Sequence, residues 1–413
     1  MRSLRCRASR SSGLKWMYRF AMRSLAILRG HIARARTCKT AKQLHKLTVP
    51  GFRNCWCGYY DHSPFYPKDE SLILLHAANW PAWRMPRPDQ PVEVMLFDWR
   101  ARRVVEFLGP TFSWNWQQGA RAHWVLKDTV IYNIYDAETG SYRAKLVQPG
   151  TGKHELLPIP VQETDVQGRV YSISYEALSA IRPDYGYRNK PCTQRDIMEN
   201  RIRSYDLRGG EIREHVGVPE LFAEASARHA VPMDRPKLNH VMASPCGTRL
   251  IFLFRYFAGG RRVTDLYGLD VESGRWNCLL PDKGVSHYCW IDERSILATL
   301  RGREGFGYYK LDFDGADVSL VRLSPDGHPQ ALNEHLFVTD TYPDRFAMRR
   351  LLSVPYAATS GMIEWGVFPE PLLFLGEARC DLHPSVSLSR RWAQMDLAHK
   401  NRRLVGLLEM PDL

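Results

Sequence analysis

The chain has 413 residues, of which 44% are hydrophobic and 11% aromatic, which is long and apolar enough for one large propeller or two ordinary globular domains. Its formal net charge of +13 is concentrated at the N-terminus, because the first 60 residues contain 14 Lys or Arg and no Asp or Glu. The remainder carries 43 basic against 44 acidic side chains, which argues against nucleic-acid binding by the folded body.

The nine cysteines include no Cys-x-x-Cys pair, which argues against a zinc site. Single cysteines scattered through strand-like segments are typical of a reducing compartment. No apolar run approaches the roughly 20 residues that a membrane-spanning helix needs. We therefore expect a cytoplasmic protein.

Residues 1–42 are predicted to form a basic, partly helical arm. Between Lys15 and Arg36, apolar residues recur at spacings of three and four, so they share one helical face: Tyr18, Ala21, Leu25, Leu28 and Ile32. Arginines surround this face, at Arg19, Arg23, Arg29 and Arg34, so we expect it to rest peripherally on an anionic membrane surface. Three alternatives stay open: a helix packed on the folded body, an organellar transit peptide, and an extension upstream of a start at Met17 or Met22.

Residues 43–413 are predicted to form an all-β, seven-bladed β-propeller, because strand-turn-strand units recur every roughly 40 to 55 residues. In chain order the units begin near Gly58, Thr111, Pro160, Asn239, Ser286, Asp326 and Cys380. The clearest unit contains Leu250–Phe254, a continuously apolar strand typical of burial on both faces. A short helix over Glu220–Ala230 is predicted between the third and fourth units.

The last unit has room for only three strands, and an open ring would leave an unpaired edge. We predict that Gln43–Val49 supplies the fourth strand and closes the ring by strand exchange. A six-bladed ring, with the third and fourth units miscounted, is the alternative.

Polar residues recur near the start of each unit's first strand: Asp61, His62, Gln117, Gln118, His240, His287, His328, Asp381 and His383. First strands line the central channel of a propeller, so we expect these side chains to converge on one axis. Histidines there could bind a metal, act as a general base, or hydrogen-bond a sugar. They could equally satisfy backbone groups between blades.

Three further clusters are candidates for ligand binding. Trp114, Trp116, Gln118 and Arg121 would suit sugar stacking and hydroxyl recognition, or the tryptophans could pack between blades. Arg182 and Tyr185 lie on a loop where arginine could bind a carboxylate or phosphate, or pair with Asp184. Asp340 lies beside a turn with Asp344, where two carboxylates could bind a cation.

The pieces GYYDHSPF, WNWQQGARAHW, RPDYGY, NHVMASPCGTRLIFLFR, TDTYPD and CDLHPS together resemble a bacterial family of propeller proteins associated with surface-polysaccharide biosynthesis, often labelled glycosyltransferase. The resemblance covers roughly residues 50–410. It implies a role linked to carbohydrate, with a polysaccharide ligand and glycan-assembly enzymes as partners.

More distantly, the blade phasing resembles that of the oligogalacturonate lyases, which hold a divalent metal in the channel with three histidines and a glutamine. In Asp381-Leu382-His383-Pro384, His383 matches one ligand of their His-x-His-Pro motif, Asp381 replaces a second, and Ala378 stands where the glutamine is expected. His328 matches another ligand, and His287 matches a channel histidine.

We predict a carbohydrate-binding or scaffolding propeller with its ligand at the channel mouth and no required cofactor. The alternative is a lyase or hydrolase acting on an acidic glycan with a divalent metal (Mn or Ca). The predicted roles are catalysis for His240 and His287, metal binding for His328 and His383, and ligand binding for Asp61, His62, Gln118, Arg121, Arg182, Tyr185, Arg255 and Asp340.

Overall fold

The computed structural model describes residues 2–126, 128–315, 317–357 and 361–410. These residues form seven antiparallel sheets that follow one another along the chain, and we number them blades 1 to 7. The predicted seven-bladed β-propeller is confirmed. The six-bladed alternative is wrong, because the third and fourth units each form a sheet of their own.

The strands of each blade follow in sheet order. Blade 1 contains Asn54–Trp56, Asp69–Ala78, Val92–Asp98 and Arg103–Thr111, with Phe65–Tyr66 as a further partner of its second strand; blade 2 contains His123–Val125, Thr129–Asp136, Ser141–Gln148 and Lys153–Leu156. Blade 3 contains Glu163–Thr164, Arg169–Ser172, Arg201–Asp206 and Ile212–Gly217; blade 4 contains Met233–Ala243, Arg249–Ala258, Arg261–Asp270 and Trp276–Leu280. Blade 5 contains Tyr288–Trp290, Ser295–Arg301, Phe306–Asp312 and Val318–Leu323; blade 6 contains Gln330–Ala331, Leu336–Asp340, Met348–Pro355, Ile363–Pro369 and Lys39–Thr40; blade 7 contains Ser385–Val386, Trp392–His399, Arg402–Glu409 and Leu44–Leu47.

The second strand of blade 4 shows why the sequence of a central strand is continuously apolar. Leu250, Phe252 and Phe254 pack in one hydrophobic cluster with residues of blade 3. Ile251 and Leu253, on the opposite face, pack in another cluster with residues of blade 5. Each face of the blade is therefore buried against a neighbouring blade, and both sets of alternating side chains must be apolar.

The N-terminal side of the chain supplies the outer strand of blade 7. Leu44–Leu47 pairs antiparallel with Arg402–Glu409, with Leu44 opposite Leu408 and Leu47 opposite Val405. This strand lies within the segment Gln43–Val49 that we assigned to ring closure. Lys39–Thr40, which the sequence did not indicate as a strand, pairs with the outer strand of blade 6.

Four α-helices lie in the described residues. Helix α1, Arg2–Ile32, forms most of the predicted arm. Helices α2, Tyr175–Ile181, and α3, Gln194–Met198, lie in the long connection between the second and third strands of blade 3. Helix α4, Val218–Ser226, overlaps the helix predicted over Glu220–Ala230 but begins earlier. A 3-10 turn spans Gly376–Ala378. Among the described residues, the helices are all too short or too polar to cross a bilayer.

Candidate functional site

Four buried histidines from consecutive blades meet in the central channel. The ring centroids lie 5.8 Å apart for His240 and His287, 4.1 Å for His287 and His328, and 4.4 Å for His328 and His383. His240 and His383 have positive φ angles of 57° and 44°, a conformation that side chains other than glycine seldom adopt. The first strand of blade 4 has a register irregularity between Asn239 and Met242, so His240 sits in a β-bulge that turns it inward.

Blade 1 contributes tyrosines to this cluster. Asn54–Trp56 and Phe65–Tyr66 both pair with the second strand of the blade, and the residues between them leave the sheet. The Tyr59 ring lies 5.0 Å from that of His240 and 4.8 Å from that of His383, and its hydroxyl is 2.8 Å from Nε2 of His240. The ring of Tyr60 lies 5.3 Å from that of His328.

Asp61 and His62 line a cavity of about 280 Å³ whose lining includes none of the four histidines. Asp61 forms an ion pair with Arg121 at 2.9 Å, and Nε2 of His62 lies 3.1 Å from Glu163. Three of the predicted ligand-binding residues, Asp61, His62 and Arg121, therefore form a group apart from the histidine cluster.

Two carboxylates orient histidines of the cluster. Nδ1 of His328 lies 2.8 Å from Oδ1 of Asp340, and Nδ1 of His287 lies 3.0 Å from Oδ1 of Asp326. An Nδ1–H donated to a carboxylate leaves the lone pair on Nε2, facing away from that carboxylate. Asp340, predicted to bind ligand, thus lies behind His328, where it also accepts the backbone N–H of His383.

The pKa values of the four histidines shift in different directions. Burial lowers the pKa of His240, His287 and His383, although Asp326 partly offsets this for His287 and Asp381 for His383. For His328, burial lowers the pKa, but the carboxylates of Asp340, Asp381 and Asp326 together raise it by more, so the net direction is upward. A lowered pKa keeps His287 neutral at pH 7, the state in which Nε2 can accept a proton.

Three donors lie close enough to bind one metal ion. Ligand atoms of His328, Asp381 and His383 all lie within 4.8 Å of one another. Nδ1 of His383 lies 3.1 Å from the carbonyl oxygen of Gly58, so the Nδ1–H donates there and Nε2 keeps its lone pair. Nε2 of His328 and Nε2 of His383 are buried and have no hydrogen-bond partner among the described residues. Buried polar atoms normally have a partner, so these two atoms are candidates for binding a ligand.

Two arginines, one buried (Arg349) and one half-buried (Arg379), accompany the carboxylate of Asp381. Arg349 contacts its Oδ1 at 2.9 Å and Arg379 its Oδ2 at 2.6 Å. Burial raises the pKa of Asp381, but the two guanidinium groups lower it by more, so the carboxyl is ionised. The donor set fits a divalent cation, and two imidazoles favour manganese over calcium, which prefers oxygen ligands. The neighbouring positive charges weaken such binding.

The loop after α2 lies beside these arginines. Arg182 forms a bidentate pair with Asp184 at 2.8 and 2.6 Å, and its guanidinium lies 4.8 Å from the centroid of the Tyr185 ring. Arg379 contacts Asp184 at 2.8 Å and donates to the Tyr185 hydroxyl at 3.0 Å. The structure therefore brings the predicted residues Arg182 and Tyr185 to the histidine end of the channel.

Arg255 donates to the carbonyl oxygens of Val285 and Ser286 at 3.3 and 3.2 Å. Its partner across the strands is Lys237, a buried lysine that the sequence analysis did not single out. Burial and the neighbouring Arg255 lower the pKa of Lys237 well below its usual value. This shift favours the uncharged amine of Lys237, so the positive charge beside His240 is that of Arg255.

The tryptophan cluster of blade 2 packs inside the protein. Trp114 and Trp116 are buried, and their ring centroids lie 5.5 and 4.8 Å from that of Trp56. Gln118 is also buried, and its backbone N–H donates to Asn115. The packing interpretation of the two tryptophans is therefore the one that the structure supports.

A cavity of about 870 Å³ lies between α1 and the propeller, at the end of the channel where Tyr342, Arg349 and Arg379 lie. Within the described residues, three acidic side chains line it (Asp184, Asp344 and Glu377), against eight arginines (Arg19, Arg23 and Arg29 of α1, and Arg182, Arg262, Arg345, Arg349 and Arg379 of the propeller). Sequence reasoning missed this cavity because its arginines come from separate segments that form no motif.

The fold has distant counterparts among solved structures. An oligogalacturonate lyase in complex with manganese superposes with a TM-score of 0.61 at 14% identity, over 91% of this chain and 96% of that one. The oligogalacturonate lyase of Vibrio parahaemolyticus gives a TM-score of 0.60 at 12% identity, over 91% and 97% of the two chains. The chain has the fold of an oligogalacturonate lyase. At such low identity, the likeness to these lyases concerns the fold alone.

No protein-family model matches the chain, and no curated protein matches it in sequence. The comparisons thus support the distant likeness to oligogalacturonate lyase, and they provide no support for a link to polysaccharide biosynthesis.

Proposed function

We propose that the protein binds an acidic carbohydrate at the channel mouth, in the arginine-lined cavity beside the histidine cluster. The observation that carries this proposal is the excess of arginines over acidic residues around a cavity of about 870 Å³. That volume is typical of small-ligand pockets, and the planar guanidinium matches a carboxylate in a bidentate geometry. A role in surface-polysaccharide biosynthesis, beside glycan-assembly enzymes, is the part of the proposal that rests on sequence resemblance alone.

The names of the lyases with the same fold agree with an acidic glycan as ligand. Oligogalacturonate, which the lyases of the same fold act on by name, carries a carboxylate on each sugar. The cavity arginines would hold such carboxylates, and the tyrosine and histidine side chains of the channel would hydrogen-bond the hydroxyls. Oligogalacturonate is accordingly the first probe to use.

Two arginines of the cavity allow a test that leaves the fold intact. Arg262 and Arg345 are exposed, and neither is ion-paired with a carboxylate of the described residues. Because a charge-assisted hydrogen bond contributes about 1.5–3 kcal/mol, Arg262→Ala and Arg345→Ala should each weaken trigalacturonate binding by on the order of tenfold or more in calorimetric titration. Arg303→Ala removes an exposed arginine outside the cavity and should leave the affinity unchanged.

A neutral oligosaccharide of the same length should bind much more weakly than trigalacturonate. Equal affinity for the two sugars, or unchanged affinity in both cavity variants, would contradict the proposed site.

Metal-assisted cleavage of the same glycan is a second candidate function, favoured by the pairing of His287 with Asp326. His328, His383 and Asp381 would hold the metal, which supplies positive charge against a sugar carboxylate when bound. His287 is neutral and has Nε2 available, so it could accept the proton from the carbon next to that carboxylate.

In such an elimination the bond from the next ring carbon to the glycosidic oxygen breaks, and this oxygen leaves with a proton as a hydroxyl group of the released sugar. The other fragment keeps a carbon–carbon double bond and absorbs in the ultraviolet. If the protein is a lyase, the ultraviolet absorbance of a trigalacturonate solution should increase in the presence of Mn²⁺, and a chelator should stop the increase. If trigalacturonate binds but the absorbance does not change at any metal concentration, the protein binds the glycan and does not cleave it.

A further inference from the structure

Helix α1 is fixed on the propeller by one of its faces. Arg36, just beyond its end, donates to the carbonyl oxygens of Phe346, Ala347 and Glu370, each at 2.9 Å. Within the helix, Arg23 pairs with the carboxylate of Glu370 at 3.2 Å. Gly30 is buried at this contact, where an added Cβ would lie 2.9 Å from the carbonyl oxygen of Phe346. These contacts determine which side of α1 faces the propeller.

The apolar face predicted from the sequence is the side of α1 that faces away from the propeller. Its large residues are exposed: Tyr18 by 65%, Leu25 by 39%, Leu28 by 55% and Ile32 by 76%. Leu14 and Met17 extend the same stripe with exposed fractions of 68% and 63%. A row of apolar side chains this long on a helix surface is typical of an interaction site. Helix α1 does pack on the folded body, as one alternative from the sequence expected, but it does so through the opposite face and leaves this apolar face uncovered.

Charge selects the partner of this face. Lys15, Arg19 and Arg29 lie along one edge of the stripe, and the first 60 residues contain no acidic side chain at all. A second copy of the protein would place one acid-free arm against another, and the two would repel each other. An anionic lipid surface instead attracts the cations while it accepts the apolar side chains.

We propose that the outward face of α1 lies in the interface of an anionic bilayer and holds the propeller against the membrane. Tyr18, at the edge of the apolar face, also lines the arginine cavity together with Arg19 and Arg29, so the cavity opens beside the lipid headgroups. The proposal does not depend on which ligand the cavity binds. It implies that the ligand approaches from the membrane surface.

Vesicle co-sedimentation tests the proposal with the full chain. We expect binding to vesicles that contain phosphatidylglycerol, weak binding to pure phosphatidylcholine, and loss of binding as salt is raised. The double variant Leu25→Gln, Leu28→Gln keeps good helix formers while it removes two apolar side chains from the face. It should reduce the vesicle partition coefficient about tenfold or more.

The matched control replaces two exposed apolar residues on the outer strand of blade 5. The variant Val318→Gln, Leu323→Gln should bind vesicles as the parent does, since these residues are 43% and 53% exposed and lie on blade 5, whereas the contacts of α1 named above are with blade 6 and the residue that follows it. Unchanged partition of the α1 variant would overturn the proposal. So would a doubled mass in light scattering that the α1 variant abolishes, because the face would then join two copies. Trigalacturonate titration without vesicles tests the cavity separately.

Discussion

Asp396 lies buried on the second strand of blade 7 and connects ring closure to the histidine cluster. Its Oδ1 accepts the N–H of Cys57 at 2.8 Å, and its Oδ2 accepts the N–H of Gly58 at 3.1 Å. The carbonyl of Gly58 in turn accepts the Nδ1–H of His383. Burial raises the pKa of Asp396 from 3.8 to about 7, against the lowering effect of these hydrogen bonds.

This raised pKa makes folding stability depend on pH with a definite sign. Between the unfolded value of 3.8 and the folded value of about 7, the folded protein keeps a proton that the unfolded chain has lost. The stabilisation is fully present below pH 3.8 and is lost as the pH rises through about 7. At about 1.4 kcal/mol per pKa unit, the full loss is roughly 4 kcal/mol.

The substitution Asp396→Asn removes the titrating group. The free energy of unfolding of the variant should therefore lack this part of the pH dependence. Urea unfolding followed by tryptophan fluorescence should show that the parent loses roughly 3 kcal/mol more than the variant between about pH 5 and about pH 8. The variant itself should be less stable than the parent at the lower pH, since an amide can accept only one of the two N–H groups.

Asp314→Asn, at an exposed aspartate, is the control and should follow the parent at both pH values. If the parent and Asp396→Asn lose the same free energy of unfolding over this range, Asp396 does not hold a proton in the folded state. The link that we infer between blade 7 and the position of His383 would then need another basis.

Other changes have equally definite outcomes. Deleting residues 1–50 removes the outer strand of blade 7 and should lower the melting temperature by on the order of 10 °C. Deleting residues 1–38 keeps that strand and should lower the melting temperature less. Equal falls in melting temperature, measured by circular dichroism, would contradict a closing role for the strand. His383→Ala should weaken Mn²⁺ binding roughly 10- to 100-fold in calorimetry, with His240→Ala as the control outside the donor set. Mn²⁺ affinity should fall as the pH falls, because the raised pKa of His328 makes a proton compete with the metal for Nε2; an affinity independent of pH would rule out His328 as a ligand.

The sequence predicted the fold because its signals are local and repeated. The run Leu250–Phe254 is apolar on both faces, which only a strand buried between two blades requires. The missing fourth strand of the last unit similarly pointed to the segment that contains Leu44–Leu47. Lys39–Thr40 is a two-residue strand without any apolar pattern, so no periodicity could have indicated it.

The site was predictable where it follows the blade repeat. His287, His328 and His383 meet because each lies just before a first strand, as the sequence indicated. His240 instead lies within the longer first strand of blade 4, at its bulge. In blade 1 the first strand is interrupted, so Tyr59 reaches the cluster where Asp61 was expected. A side-chain period within one strand cannot reveal such a break in register.

The charged surroundings of the site were beyond the sequence. Asp326 precedes a glycine in a turn and reads as an ordinary turn residue, yet it orients His287. Arg349 and Arg379 lie on different elements and meet only at Asp381. The position of α1 over the cavity depends on Arg36, whose backbone acceptors are more than 300 residues away in sequence.

A crystal structure with trigalacturonate bound tests the proposed function most directly. We predict sugar density in the cavity between α1 and the propeller, with carboxylates on Arg262, Arg345 or Arg379 and hydroxyls toward the histidine cluster. Density confined to the cavity of Asp61 and His62, or none in either cavity at a saturating concentration of the sugar, would contradict it.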